Sequence, residues 1–179
     1  MSTAGSTRIA STRSALVAAC RSVVATKGLK GLTMSRVADT SGLARATVYN
    51  HVRDRDELLH LLIDALRTEF VAMAMRSTDC KSGLNSLADW IAQDEAMSGL
   101  RTHNPATLVD LAQHLVSLPE GVALDAINIL GAWGVHSDLV AADAATRWLT
   151  SFFLAPGTAA ERAAGAELVA TVLKVDLVR

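Results

Sequence analysis

An all-α fold is what this sequence predicts, and three observations predict it. Apolar residues recur three and four positions apart along nearly the whole of the 179-residue chain. Half of the residues are hydrophobic, and only three Pro interrupt them. No stretch alternates apolar and polar residues for long enough to make a strand. The length allows one or two small domains, each with a real core.

Residues 1–10, rich in Ser, Thr, Gly and Ala, predict a flexible tail. The first helix should begin at Ser11 or Thr12, either of which can cap it, and end at Gly28. Its apolar face is Leu16, Ala19, Cys20, Val23 and Val24. After a bend at Lys30-Gly31, Thr33 can start a second helix by accepting the amide of Ser35 or Arg36. Val37 and Ala38 face inward, Gly42 turns the chain, and Leu43 anchors the turn. A third helix runs from about Arg45 to His51, with Val48 inside. Two short helices across a tight turn make a helix-turn-helix, which lays its second helix in the DNA major groove.

Asp54-Arg55-Asp56-Glu57 resembles a capping box, with Asp54 at the N-cap and Glu57 at the third helical position. The helix it opens carries Leu58, Leu62, Leu66, Phe70 and Met73, and should reach about Arg76. At 1.5 Å per residue it spans roughly 30 Å. It therefore links a head of residues 11–56 to a body of residues 57–179. The body reads as helices at about Ser82–Ala96, Pro105 to Pro119, Glu120–Trp133, Ser137–Leu154 and Ala159–Val175. The last two are separated by the break Ala155-Pro156-Gly157-Thr158.

Charge is divided along the chain. Residues 1–60 hold nine Lys/Arg and four Asp/Glu, whereas residues 61–179 hold eight and fourteen. A basic head on an acidic body suits a polyanion-binding module joined to a part that avoids DNA. Cys20 and Cys80 are too few for a disulfide framework; Cys20 reads as core and Cys80 as a thiol near a helix end. No run of about 18 apolar residues predicts a membrane span, and no apolar leader opens the chain, so a cytoplasmic location is expected. The five His (His51, His60, His103, His114 and His136) form no ligand spacing with Cys or carboxylates, so no metal is expected. No Gly-rich phosphate loop, nucleophile motif or carboxylate cluster points to an enzyme, and no cofactor is expected.

Residues 12–67 resemble the TetR family of transcriptional regulators. In that family the first helix closes on a Gly, here Gly28, and a Thr starts the second helix, here Thr33. An apolar-Ala pair (Val37-Ala38), a Gly-apolar turn (Gly42-Leu43) and an aromatic-x-His signature (Tyr49-Asn50-His51) follow. A basic residue then precedes an acidic pair and Leu, here Arg55-Asp56-Glu57-Leu58. Two positions depart from the pattern. Ala44 stands where the family usually has a capping Ser or Thr, and Val52 where it usually has Phe.

The resemblance implies a DNA-binding head joined by the long helix to a helical ligand-binding and dimerisation body. Arg45 is the first candidate for base reading, because its fork matches guanine O6 and N7; the other reading pairs it with phosphate. Thr47 and Asn50 are further base-contact candidates. Thr33, Ser35, Arg36, Tyr49, His51 and Arg55 are candidates for phosphate, Tyr49 having a structural reading as well. Lys30 and Arg53 are secondary. Trp90, Met97, His103, His114, Trp133 and His136 are candidates to line an effector pocket, or else to lie in core or surface. Trp148, Phe152, Leu168 and Val172 are candidates for a dimer interface built from the last two helices, the aromatics having a core reading too. The implied partners are a palindromic double-stranded operator, a second copy of the chain and a small-molecule effector that releases a repressor. The alternative is a regulator or activator without such an effector.

Overall fold

The computed structural model describes residues 3–135 and 137–174. They form ten helices and no strand: α1 (Thr3–Gly31), α2 (Met34–Ser41), α3 (Arg45–His51), α4 (Arg55–Ala74), α5 (Cys80–Gln93), α6 (Glu95–His103), α7 (Pro105–Val116), α8 (Glu120–Ala132), α9 (Leu139–Leu154) and α10 (Ala159–Lys174). His136 and the expected end of the last helix at Val175 lie outside the described residues.

Two differences from the sequence reading matter. Helix α1 begins at Thr3, so residues from there to Ala10 are helical rather than a tail; no Pro stands in that stretch to stop a helix. The expected helix Ser82–Ala96 is two helices. Asp94 ends α5 by donating its N–H to the Trp90 carbonyl at 2.9 Å. Its carboxylate then caps α6 by accepting the Met97 N–H at 2.9 Å. Ala88, Ala92 and Ala96 stay four positions apart across this break, which hid it from periodicity. Cys80, at the start of α5, is buried rather than exposed, and burial pushes its thiol up to about 11.

One core joins Leu16, Cys20, Val24, Val37, Val48, Val52, Leu58 and Leu62 of the first four helices and their turns to Ile91, Met97, Leu108, Phe152 and Phe153. A second core gathers Ala74, Leu84, Leu87, Leu130, Trp133, Ala145, Ala170 and Leu173. Phe70, Trp148 and Leu149 pack against both. Helices α1 and α6 cross at Gly99, where a Cβ would fall 2.3 Å from the Val24 carbonyl oxygen. Only a residue without a side chain permits that approach.

Candidate nucleic-acid interface

Thr33 is extended and accepts the Arg36 N–H on its hydroxyl at 3.3 Å, which starts α2. Gly42, at φ 69° and ψ 9°, occupies the left-handed region and ends it. A Cβ there would meet nothing within 4 Å, so backbone conformation is the reason for glycine at this turn. Ser41 fastens the same turn, its hydroxyl donating to the Ala38 carbonyl and accepting the Leu43 N–H. At the start of α3, Ala44 makes no side-chain cap.

Helix α3 buries Val48 alone. It exposes Arg45, Asn50 and His51, half-buries Thr47, and leaves Tyr49 56 % exposed. The three base-contact candidates thus stand on one short helix held down by one apolar residue. Arg45 lies 3.8 Å from Asp39 across the turn, with both side chains about two-thirds exposed. Such a pair is weak and leaves the guanidinium available to another partner.

Thr33 and Ser35 are exposed at the start of α2. Two phosphate candidates also have partners within the chain. Arg36 donates to the Gly31 carbonyl at 2.8 Å, and Arg55 donates to the Leu29 carbonyl at 3.0 Å. Both cations therefore fasten the connection between α1 and α2. At the start of α4, Asp54 accepts the Glu57 N–H at 2.9 Å as expected. The reciprocal bond differs: Glu57 accepts the backbone N–H of Arg53, not that of Asp54. That bond, with a second from the Arg53 side chain, holds the Glu57 carboxyl below the usual range.

The effector-pocket candidates are dispersed. Met97 lies in the first core, while Trp133 lies in the second and donates its indole N–H to the Ala74 carbonyl. His103 and His114 are exposed on α6 and α7. Trp90 lines an open cleft of about 660 Å³ with Arg21, Glu69, Met73, Asp89, Asp94 and Glu95. There Arg21 of α1 contacts Glu69 and lies 3.6 Å from Asp94, while the Trp90 indole donates to Glu69 at 3.1 Å. Sequence reasoning passed over this cluster because its members lie far apart in the chain. Asp94 alone had a local signal, as an N-cap residue preceding the apolar Ala96-Met97.

Of the dimer candidates, Phe152 is buried, and Trp148 packs edge-on against it and over Gly165. Leu168 and Val172 are 66 % and 47 % exposed on α10. Among the described residues, no three metal-ligating side chains gather, and no single helix is long and apolar enough to cross a membrane.

A helix-turn-helix with an exposed second helix, rimmed by cations, is the arrangement that DNA-binding proteins of the helix-turn-helix class use. Residues 16–62 match the sequence family described as bacterial regulatory proteins, tetR family. The whole fold is similar to that of the TetR family repressor AlkX from Dietzia sp., implicated in biodegradation of n-alkanes, with a TM-score of 0.60 and 20 % identity over 92 % of this chain and 99 % of that one. It is also similar to a TetR-family transcriptional regulator from Pectobacterium atrosepticum, with a TM-score of 0.61 and 20 % identity over 95 % of this chain and 97 % of that one. A transcriptional regulator from Rhodococcus sp. gives a TM-score of 0.60 and 18 % identity over 90 % of this chain and 95 % of that one. No curated protein matches the chain in sequence. Residues 16–62 thus match the N-terminal model of the TetR family, and the whole chain shares the fold of solved TetR-family regulators.

Proposed function

We propose that this protein is a cytoplasmic repressor that binds a palindromic operator as a homodimer and is released by a small-molecule effector. Residues 11–56 form the DNA-binding head, and residues 57–179 form the regulatory and dimerising body. The observation that carries the reading is the exposed face of α3, with Arg45, Asn50 and His51 free of the core while Val48 anchors the helix. In this reading Arg45, Thr47 and Asn50 meet base edges, while Thr33, Ser35, Arg36, Tyr49, His51 and Arg55 meet phosphates. A second copy brings a second α3 to a half-site about 34–36 Å away. Exposed Leu168 and Val172 on α10, with exposed Leu154 at the end of α9, supply an apolar face for that contact.

The experiment uses the best duplex that the protein selects from a random-sequence library. Arg45→Ala should weaken binding to that duplex by about 1–3 kcal/mol and relax preference at one base pair. Unchanged affinity and preference would remove Arg45 from base reading. Leu168→Glu with Val172→Glu should shift sedimentation toward the monomer and abolish binding to the palindrome. A dimer that survives this double substitution would move the interface elsewhere.

A second reading is a regulator without a small-molecule effector. The burial of Met97 and Trp133 in packed cores favours it. Addition of candidate ligands to the protein–duplex complex separates the two readings: release supports the first.

A further inference from the structure

We propose that Asn104 is a positioning residue for DNA binding. Through the backbone of Leu29 it holds Arg55 in place, so the junction of α6 and α7 is coupled to the DNA-facing edge through the end of α1, not along the length of α4. The proposal rests on the reading of Arg55 as a phosphate contact.

Asn104 closes α6, donating its N–H to the Leu100 carbonyl at 2.9 Å, and directly precedes Pro105, the first residue of α7. An Asn in that place ordinarily caps the following helix with its own side chain. Here it caps nothing locally. Its Oδ1 instead accepts the Leu29 N–H at 2.7 Å, across 75 positions of sequence. Acceptor capacity favoured for a local cap is directed to the end of α1.

The backbone of α1 is shaped for this bond. Gly28 has φ 63° and ψ −171°, a conformation essentially confined to glycine. A Cβ on Gly28 would also fall 2.3 Å from Asn104 Oδ1 and 2.6 Å from His103 Cβ. Conformation and close approach thus require glycine at the same position. Just beyond the break, Leu29 is held on both sides. Its N–H goes to Asn104, and its carbonyl accepts both the Leu32 N–H at 3.1 Å and Arg55 at 3.0 Å. Arg55 opens α4, and one turn of chain further on Arg36 holds the Gly31 carbonyl. Movement of the α6–α7 junction therefore moves the peptide to which Arg55 is fastened.

The test is a double-mutant cycle on the full chain with the selected duplex, read as affinity and as the slope of log affinity against log salt. Arg55→Ala should lower that slope by about one, as loss of one phosphate contact does. Asn104→Ala should weaken binding roughly 3- to 10-fold and lower the slope in the same direction, while changing affinity less than about twofold in the Arg55→Ala background. Asn104→Ser can cap α7 locally but is too short to reach Leu29. It should keep the melting temperature and share the DNA defect of Asn104→Ala. Losses that multiply independently, or an unchanged salt slope in both Asn104 variants, overturn the coupling. If Arg55→Ala binds like wild type, the reading of Arg55 fails instead, and the proposal fails with it.

Discussion

The Arg21 guanidinium of α1 donates to the Glu69 carboxylate of α4, which also accepts the Trp90 indole N–H of α5. One carboxylate thus ties together a helix of the head, the linking helix and a helix of the body. Burial alone would raise the Glu69 carboxyl. The hydrogen bonds from Arg21 and Trp90, with the charge of Arg21, outweigh it and hold the group below its ordinary value of 4.5. As pH falls, the unfolded chain takes up this proton before the folded one does. The stabilisation is therefore complete above about pH 4.5 and is lost as pH falls through the lowered value. Glu69→Gln should melt lower than wild type near neutrality, and the gap should close on acidification below pH 4.5. A gap that stays constant to pH 3 would show that the ion pair is not its source.

Ala44 leaves the start of α3 without a side-chain cap, although its backbone (φ −60°, ψ 139°) is already non-helical. Ala44→Ser supplies an acceptor for an amide of the first turn. It should stabilise the protein by ~1 kcal/mol in urea unfolding, within the usual range for such caps. A neutral or negative change would mean that the hydroxyl does not reach those amides.

Gly99 lies against backbone, not against a movable side chain. The missing Cβ would be 2.3 Å from the Val24 oxygen and 2.5 Å from the Ala25 Cα. Gly99→Ala should therefore push α6 away from α1 and destabilise the fold by ~1–3 kcal/mol, despite alanine's better helix propensity. Chemical denaturation measures it directly, and a stabilised variant would refute the close crossing.

Arg162 is 5 % exposed, bonds Asp89 at 2.6 Å, and donates to the carbonyls of Pro156 and Gly157. It fastens α10 and the loop before it to α5. Arg162→Ala leaves a partly buried carboxylate and two carbonyls without this partner, and should cost ~2–4 kcal/mol. If α10 carries the dimer contact, the variant should also dissociate at higher protein concentration than wild type in sedimentation.

Local signals in the sequence determined the head and its likeness to a family. Thr33, Gly42 and Asp54 act within a few residues of themselves, through backbone conformation and capping, and the structure places each where its chemistry requires. The apolar spacing likewise marked most of the helices, because burial of one face repeats with the helical turn. Spacing could not show the break at Asp94, since the apolar face continues through it. Nor could it choose between core and interface for aromatic residues, because both environments are dry. Tertiary packing decided that Phe152 faces the core while Leu168 faces out. It alone brought Arg21 to Glu69 and Asn104 to Leu29, since contacts between distant positions depend on how helices cross and leave no period in the chain.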